Sequence, residues 1–334
     1  MKLAVLALTK HGAMLAKRVN QQLYAQGHEI FLYLPETYLS LCPGAKSFEG
    51  SLAKTVGRLF GQYDGMIMIM ALGIVFRILA PHINDKRVDP AVLVLDEKGH
   101  FVISALSGHL GGANALTQEL ASMLEAIPVV TTATDVHGLD AVDVLAREYN
   151  LVMEPFQRVR GINSALVNGE PVGLYWDYPL PVEPTGFHML TKEMLDNRLA
   201  DVWTVWLTGK SMKPPNERTL LLRPRNITIG VGCRKGVEAA VIMQSIQTTL
   251  TELGCSPLCI KTLATVDIKA EEPGLKEVAR VLSVPLKIFT RQEIKIFYDV
   301  KGNGLTRSAL VEEKIGVGGV CEPVALLALS LIHI

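Results

Sequence analysis

FVISALSGHLGGANALTQELA, residues 101–121, joins an apolar run to an amphipathic helix through a turn that carries one histidine and three glycines. Leu116, Leu120, Met123 and Leu124 recur at helical spacing, so the helix lays one face on a core. The apolar run before it reads as a strand, paired as a hairpin across EKGH with AVLVLD. A strand, a glycine turn and a helix in this order form the basic unit of an α/β sheet. Two readings of the turn stay open. The glycines make only a tight corner, or the bare amides at the helix start hold an anion.

The same alternation runs outward through the first 146 residues. KLAVLALT is a strand, GAMLAKRVNQQLYAQG a helix and EIFLYLP a strand; YDGMIMIMAL is a strand before the helical GIVFRILAPHI, and PVVTTAT closes the block. Such continuous apolar strands predict a mostly parallel sheet covered on both faces. Residues 147–224 differ: they hold VGLYWD, DVWTVWLT, all three tryptophans and the loop GKSMKPPNER, and read as a small α+β region. Alternation resumes from residue 225, with ITIGVGCRKG, a long helix, CIKTLATVDIKA, the helix EEPGLKEVARVLSV, PLKIFTRQEI, GVGGV and EPVALLALSL. The expected fold class is therefore α/β: two doubly wound, mostly parallel domains, 1–146 and 225–334, joined by the α+β region 147–224.

Composition narrows the function. The chain has 334 residues, 49% hydrophobic and 20% charged, and Lys plus Arg equals Asp plus Glu at 33 each. That balance argues against nucleic acid, which calls for a basic face. MKLAVLALTK imitates a signal peptide, but Lys10 and His11 stand where a cleavage site belongs, so a buried strand is the better reading. MIMIMALGIVF is too short to span a bilayer, which takes about 20 residues. Five scattered cysteines lack metal-site spacing and suit reduced thiols in a cytoplasmic protein.

Several strand ends carry polar residues. Gly73, Arg77, Lys86 and Arg87 lie in GIVFRILAPHINDKRVDP, with Asp85 and Asp89 nearby; the cations either clamp a carboxylate or pair with their own acids. Gly232, Arg234 and Lys235 lie in GVGCRKG; Asp267, Lys269 and Glu271 in TVDIKAEEPGL; Glu322 follows GVGGV at a helix start. Each alone is more often structure than site. Together they suit a ligand bearing many carboxylates better than one bearing a single phosphate.

Three blocks, ALGIVFRILAP, DKRVDPAVLVLDEKGHFVISALSGHLGGAN and TTATD, resemble the N-terminal half of the CbiG family of cobalamin biosynthesis. IGVGCRKG, LATVDIKAEEPGL and GVGGVCEPVALLA resemble its C-terminal domain, which also occurs as a separate CobE-type protein. The resemblance runs in order along nearly the whole chain. It implies hydrolysis of cobalt-precorrin-5A: water opens the δ-lactone of a cobalt tetrapyrrole, and acetaldehyde leaves to give cobalt-precorrin-5B. The family continues past its last helix into a further polar turn and strand, whereas this chain ends at SLIHI, so a missing strand is expected there.

On that resemblance His109 is the expected general base, with Asp135, Asp267 and Glu322 as alternatives, and the amides of Gly111 and Gly112 are expected oxyanion donors. Substrate contacts are expected from Gly73, Arg77, Lys86, Arg87, Ser107, Gly108, Gly111, Gly112, Asn114, Gly232, Arg234, Lys235, Lys269 and Glu271. No cofactor and no protein-bound metal are expected, since cobalt arrives with the substrate. The expected partner is that tetrapyrrole, without nucleic acid or membrane; contacts with other pathway enzymes and self-association stay open. So do two other functions, a non-catalytic tetrapyrrole carrier and a phosphate-binding α/β protein, although Walker and dinucleotide spacings are missing.

Overall fold

The computed structural model describes residues 1–195, 201–301 and 304–329. Its first sheet is built from β1 (Lys2–Ala7), β2 (Glu29–Leu34), β3 (Lys46–Ser47), β4 (Gly65–Ile69), β5 (Ala91–Leu95), β6 (Phe101–Leu106) and β7 (Ile127–Val129), in the order β3-β2-β1-β4-β5-β6-β7. Helices α1 (Lys10–Ala25), α2 (Leu52–Leu59), α3 (Leu72–Leu79) and α4 (Ala113–Leu124) cover it; α5 (Ala133–Val136) and α6 (Val142–Glu148) follow. Alternate strand residues point to opposite faces. Leu3, Val5, Ile67, Ile69, Leu93 and Leu95 therefore pack with α1 and α4, while Ala4, Leu6, Met66, Met68, Val92 and Val94 pack with α2 and α3. A strand buried on both faces is apolar at every position, which is how MIMIM and AVLVL read.

Strands β1 to β5 run parallel, but β6 pairs antiparallel with β5, Val92 opposite Leu106, and β7 follows the direction of β6. With this reversal, not every polar turn lies at the carboxyl ends of the parallel strands. The turn after β6 lies instead at the edge where β1, β4 and β5 begin. The segment after β7, and the loop of Lys86 and Arg87 that leads into β5, lie at that edge too. Gly73 does not: it opens α3 at the opposite edge, where β4 ends.

The remaining strands are β8 (Leu151–Glu154), β9 (Val172–Trp176), β10 (His188–Met189), β11 (Trp203–Leu207), β12 (Thr219–Pro224), β13 (Ile227–Gly230), β14 (Ile260–Val266) and β15 (Leu286–Phe289). With them come α7 (Val159–Val167), α8 (Lys192–Leu195), α9 (Ala239–Glu252), α10 (Pro273–Leu282), α11 (Arg291–Lys301), α12 (Ala309–Ile315) and α13 (Cys321–Ala328). The middle sheet, β10-β9-β11-β12-β8, is parallel except for its edge strand β8. The last sheet, β13-β14-β15, is parallel, and β14 divides two cores: Leu263 packs with α9 and α10, Ala264 and Val266 with α11 and α13.

Two compact units result. One comprises 1–147 with 166–170 and 184–186; the other comprises 148–165, 171–183 and 187–334, and so holds both smaller sheets. In the second unit Arg223 is buried at 1% exposure, its guanidinium held by Glu154 and by the carbonyls of Thr208, Lys210 and Met212. A buried charge needs such partners, and here they fix the GKSMKPPNER loop. The terminal SLIHI, on which the expectation of a missing strand rested, lies outside the described residues.

Candidate active site

In the first unit, the turn between β6 and α4 places His109 between two carboxylates. Its Nδ1 lies 3.1 Å from Asp143 Oδ1, its Nε2 lies 3.0 Å from Asp135 Oδ2, and the Thr134 hydroxyl lies 3.1 Å from the same Nε2. Asp135 belongs to α5 and Asp143 to α6. The ring and Asp143 are nearly enclosed, with side chains 12% and 4% exposed, whereas Asp135 is 35% exposed.

Electrostatics fixes the state of the ring. Burial works to lower the pKa of His109, but hydrogen bonds and charge from Asp143, then Asp135, outweigh it and raise it above the ordinary 6.5. In its protonated form the ring donates from both nitrogens, one to each carboxylate. His109, the expected general base, thus sits between two acceptors that favour its protonated form. Water reaches Asp135 more readily than either of its neighbours.

The glycines have local reasons. A Cβ on Gly108 would come within 2.6 Å of Asn114 Oδ1, and one on Gly111 within 2.5 Å of Ser107 Cβ. Gly112 adopts φ +88° beside Arg147 Nη1, which donates to the His109 carbonyl at 2.7 Å. Thus the turn is tight because it must wrap a histidine held from three sides. The Gly112 amide donates to His109 O at 3.1 Å, so it is not available as the expected oxyanion donor. The Gly111 amide has no acceptor among the described residues. Neither has the buried Ser107 hydroxyl, on a residue at φ +56°.

Asn114 connects the cluster to the sheet. Its Nδ2 donates to Asp135 Oδ2 at 3.0 Å and to Thr132 Oγ1 at 2.9 Å, and its Oδ1 accepts from Ser104 at 2.7 Å. Of the expected residues, the structure brings together His109, Asp135, Asn114, Ser107, Gly108, Gly111 and Gly112. Lys86 and Arg87 lie in the loop at the same sheet edge, but the Arg87 fork closes on Asp85, at 2.5 Å from Nη2 to Oδ2. Gly73 and Arg77 are exposed on α3, and nothing approaches a Cβ at Gly73.

Sequence reading missed Asp143 and Arg147. The usable signal was an acid in the apolar helical pattern of Val142, Leu145 and Ala146, with Arg147 one turn later. A carboxylate on a buried helix face requires a partner.

The second unit holds the other expected residues. Asp267 meets Arg291 at 3.3 Å and accepts from the Ile268 amide; Glu322 accepts from Thr306 N and Oγ1 at 2.7 and 3.0 Å. Both expected alternative bases thus have partners within the second unit. Glu271 is exposed and pairs with Lys276. Lys269 pairs with the buried Glu272 at 3.1 Å, whose carboxyl is held below its usual range by the Gly236 amide and by Lys269. Among the described residues, no group of three or more His, Cys, Asp or Glu is arranged to hold a metal ion, and no helix is long and apolar enough to cross a membrane.

Three family models cover most of the chain: cobalamin synthesis G N-terminal over 54–135, cobalamin biosynthesis central region over 141–224 and cobalamin synthesis G C-terminus over 227–333. A cobalt-precorrin-5A hydrolase of Priestia megaterium is 34% identical over 97% of this chain and 88% of its own length. Another, of Salmonella typhimurium, is 36% identical over 97% of this chain and 91% of its own. The chain belongs to the CbiG family. A solved structure from Sulfolobus solfataricus, described as a homologue of cobalamin biosynthesis protein G, matches 98% of the chain at 20% identity with a TM-score of 0.46. The N-terminal CbiG match ends at residue 135, so it includes His109 and Asp135, and Asp143 falls within the central one.

Proposed function

We infer that this chain catalyses the cobalt-precorrin-5A hydrolase reaction, opening the δ-lactone of a cobalt tetrapyrrole with water and releasing acetaldehyde. The observation that carries the assignment is whole-length similarity to two hydrolases of that name. The observation that carries the mechanism is the proton-sharing row Asp143–His109–Asp135.

Asp135, the most exposed of the three, takes a proton from water, and the resulting hydroxide adds to the lactone carbonyl. The Gly111 amide faces the developing oxyanion, a role that preorganised donors fill in acyl transfer. As the lactone C–O bond breaks, the His109 imidazolium gives its Nε2 proton to the departing alkoxide. Asp135 then returns the water proton to Nε2 across 3.0 Å, which restores the resting state. In the second stage Asp135 removes the proton of the new alcohol. The adjacent carbon–carbon bond breaks, acetaldehyde forms, the electron pair passes into the conjugated macrocycle, and Asp135 releases its proton to solvent. Asp143 keeps the ring charged and oriented throughout. The sequence of steps calls for no cofactor of the protein's own, because the macrocycle is the electron acceptor.

Purified protein mixed with cobalt-precorrin-5A tests this reading, with acetaldehyde followed through NADH oxidation by alcohol dehydrogenase. Stoichiometric acetaldehyde is expected. Binding of the substrate without acetaldehyde would make the chain a carrier.

A further inference from the structure

A cleft in the second unit is walled by the strand-end residues Gly232 and Cys233, by Val266 and Ile268, by Leu310, Val311 and Ile315 of α12, and by Val320 and Cys321. It encloses about 610 Å³, inside the usual range of small-ligand sites. Its charge is one-sided. Arg234, Lys235, Lys269 and Lys314 line it and no acid does, in a chain with equal numbers of basic and acidic residues. Glu272 already answers Lys269, which leaves Arg234, Lys235 and Lys314, all exposed, at the rim.

The cleft continues into a neighbour. Gly232, Cys233, Arg234 and Cys321 also line a second hollow of about 590 Å³, floored by Ile229, Val231, Val237 and Ile242. Two glycines keep this geometry. A Cβ on Gly230 would fall 1.8 Å from the Cys321 carbonyl, so only glycine lets α13 lie directly on β13. A Cβ on Gly232 would narrow the junction, meeting Cys321 Sγ at 3.3 Å and Val320 Cβ at 3.4 Å.

We propose that this cleft is a binding site in its own right for a flat, apolar ligand edged with carboxylates, of the tetrapyrrole class. The apolar walls take the ring faces, and Arg234, Lys235 and Lys314 take the rim carboxylates. A single phosphate would leave most of the wall uncovered, and a neutral apolar ligand would leave the three cations unanswered. Lys314, on the short helix α12, is a binding residue that strand-end reasoning did not reach. The ligand class rests on the functional reading above; the site itself is built entirely from residues of the second unit.

The test uses the full-length protein and uroporphyrin III, a porphyrin with carboxylates around its whole rim, with binding read by fluorescence quenching. Arg234→Glu and Lys314→Glu together should raise Kd at least tenfold, and binding to the unaltered protein should weaken as salt rises. Bound porphyrin should also slow alkylation of the exposed Cys321 thiol, followed by peptide mass spectrometry. An unchanged Kd in the double charge reversal, or undiminished Cys321 labelling under saturating porphyrin, overturns the proposal. Absence of acetaldehyde release would instead remove the hydrolase reading and leave the porphyrin result standing.

Discussion

Replacing Asp143 with Asn removes a charge while keeping the shape of the side chain. In the native protein its carboxylate lies 3.1 Å from His109 Nδ1 with 4% of the side chain exposed, so solvent screens the pair little. A hydrogen bond to a charged group of this kind contributes about 1.5–3 kcal/mol. Its loss lowers the pKa of His109. The direction follows from linkage. A histidine with a raised folded pKa adds stability that is complete below its unfolded value near 6.5 and disappears as pH climbs through the raised value. Two readouts follow. The alkaline limb of the acetaldehyde-release profile, set by loss of the imidazolium proton, should move to lower pH in Asp143→Asn. The excess thermal stability of the native protein at pH 6 over pH 9 should shrink in the variant. Asp143→Glu, which retains the charge, should recover part of the limb. An unshifted alkaline limb in a folded Asp143→Asn protein would refute the assignment of His109 as a cation held by this pair.

Other consequences are equally concrete. His109→Asn should reduce acetaldehyde release by a factor of about 10²–10⁴, the usual contribution of a positioned acid or base, while substrate binding followed by absorbance persists. Gly112→Ala should lower thermal stability and activity together, because φ +88° and the Arg147 guanidinium leave no room for a methyl group. Arg223→Leu leaves three carbonyls and Glu154 without their shared donor; a cost near 3 kcal/mol corresponds to a Tm lower by roughly 6–12 °C, measurable by calorimetry.

Much of this architecture was readable residue by residue. MIMIM and AVLVL are apolar at every position because each is a central strand with helices on both faces. The hairpin of β5 and β6 was visible in the short EKGH link, yet its consequence was not: a reversed strand sends the next turn to the other edge of the sheet. Pattern reveals elements, whereas direction within a sheet depends on pairing. The same gap explains the site. SGHLGGAN marked His109 and its glycines, but the protonation of His109 depends on Asp143, 34 residues further on, and on Asp135, 26 residues on. Contacts at that range leave no local spacing. In GVGCRKG, likewise, the need for Gly230 arises from α13, whose sequence lies ninety positions later.

The most direct measurement compares acetaldehyde release by Asp135→Asn with release by Asp267→Asn and Glu322→Gln under single-turnover conditions. The account predicts a loss of at least a hundredfold in the first and near-native rates in the other two, whose carboxylates brace Arg291 and Thr306. Full release by Asp135→Asn, or loss confined to Asp267→Asn or Glu322→Gln, would contradict it.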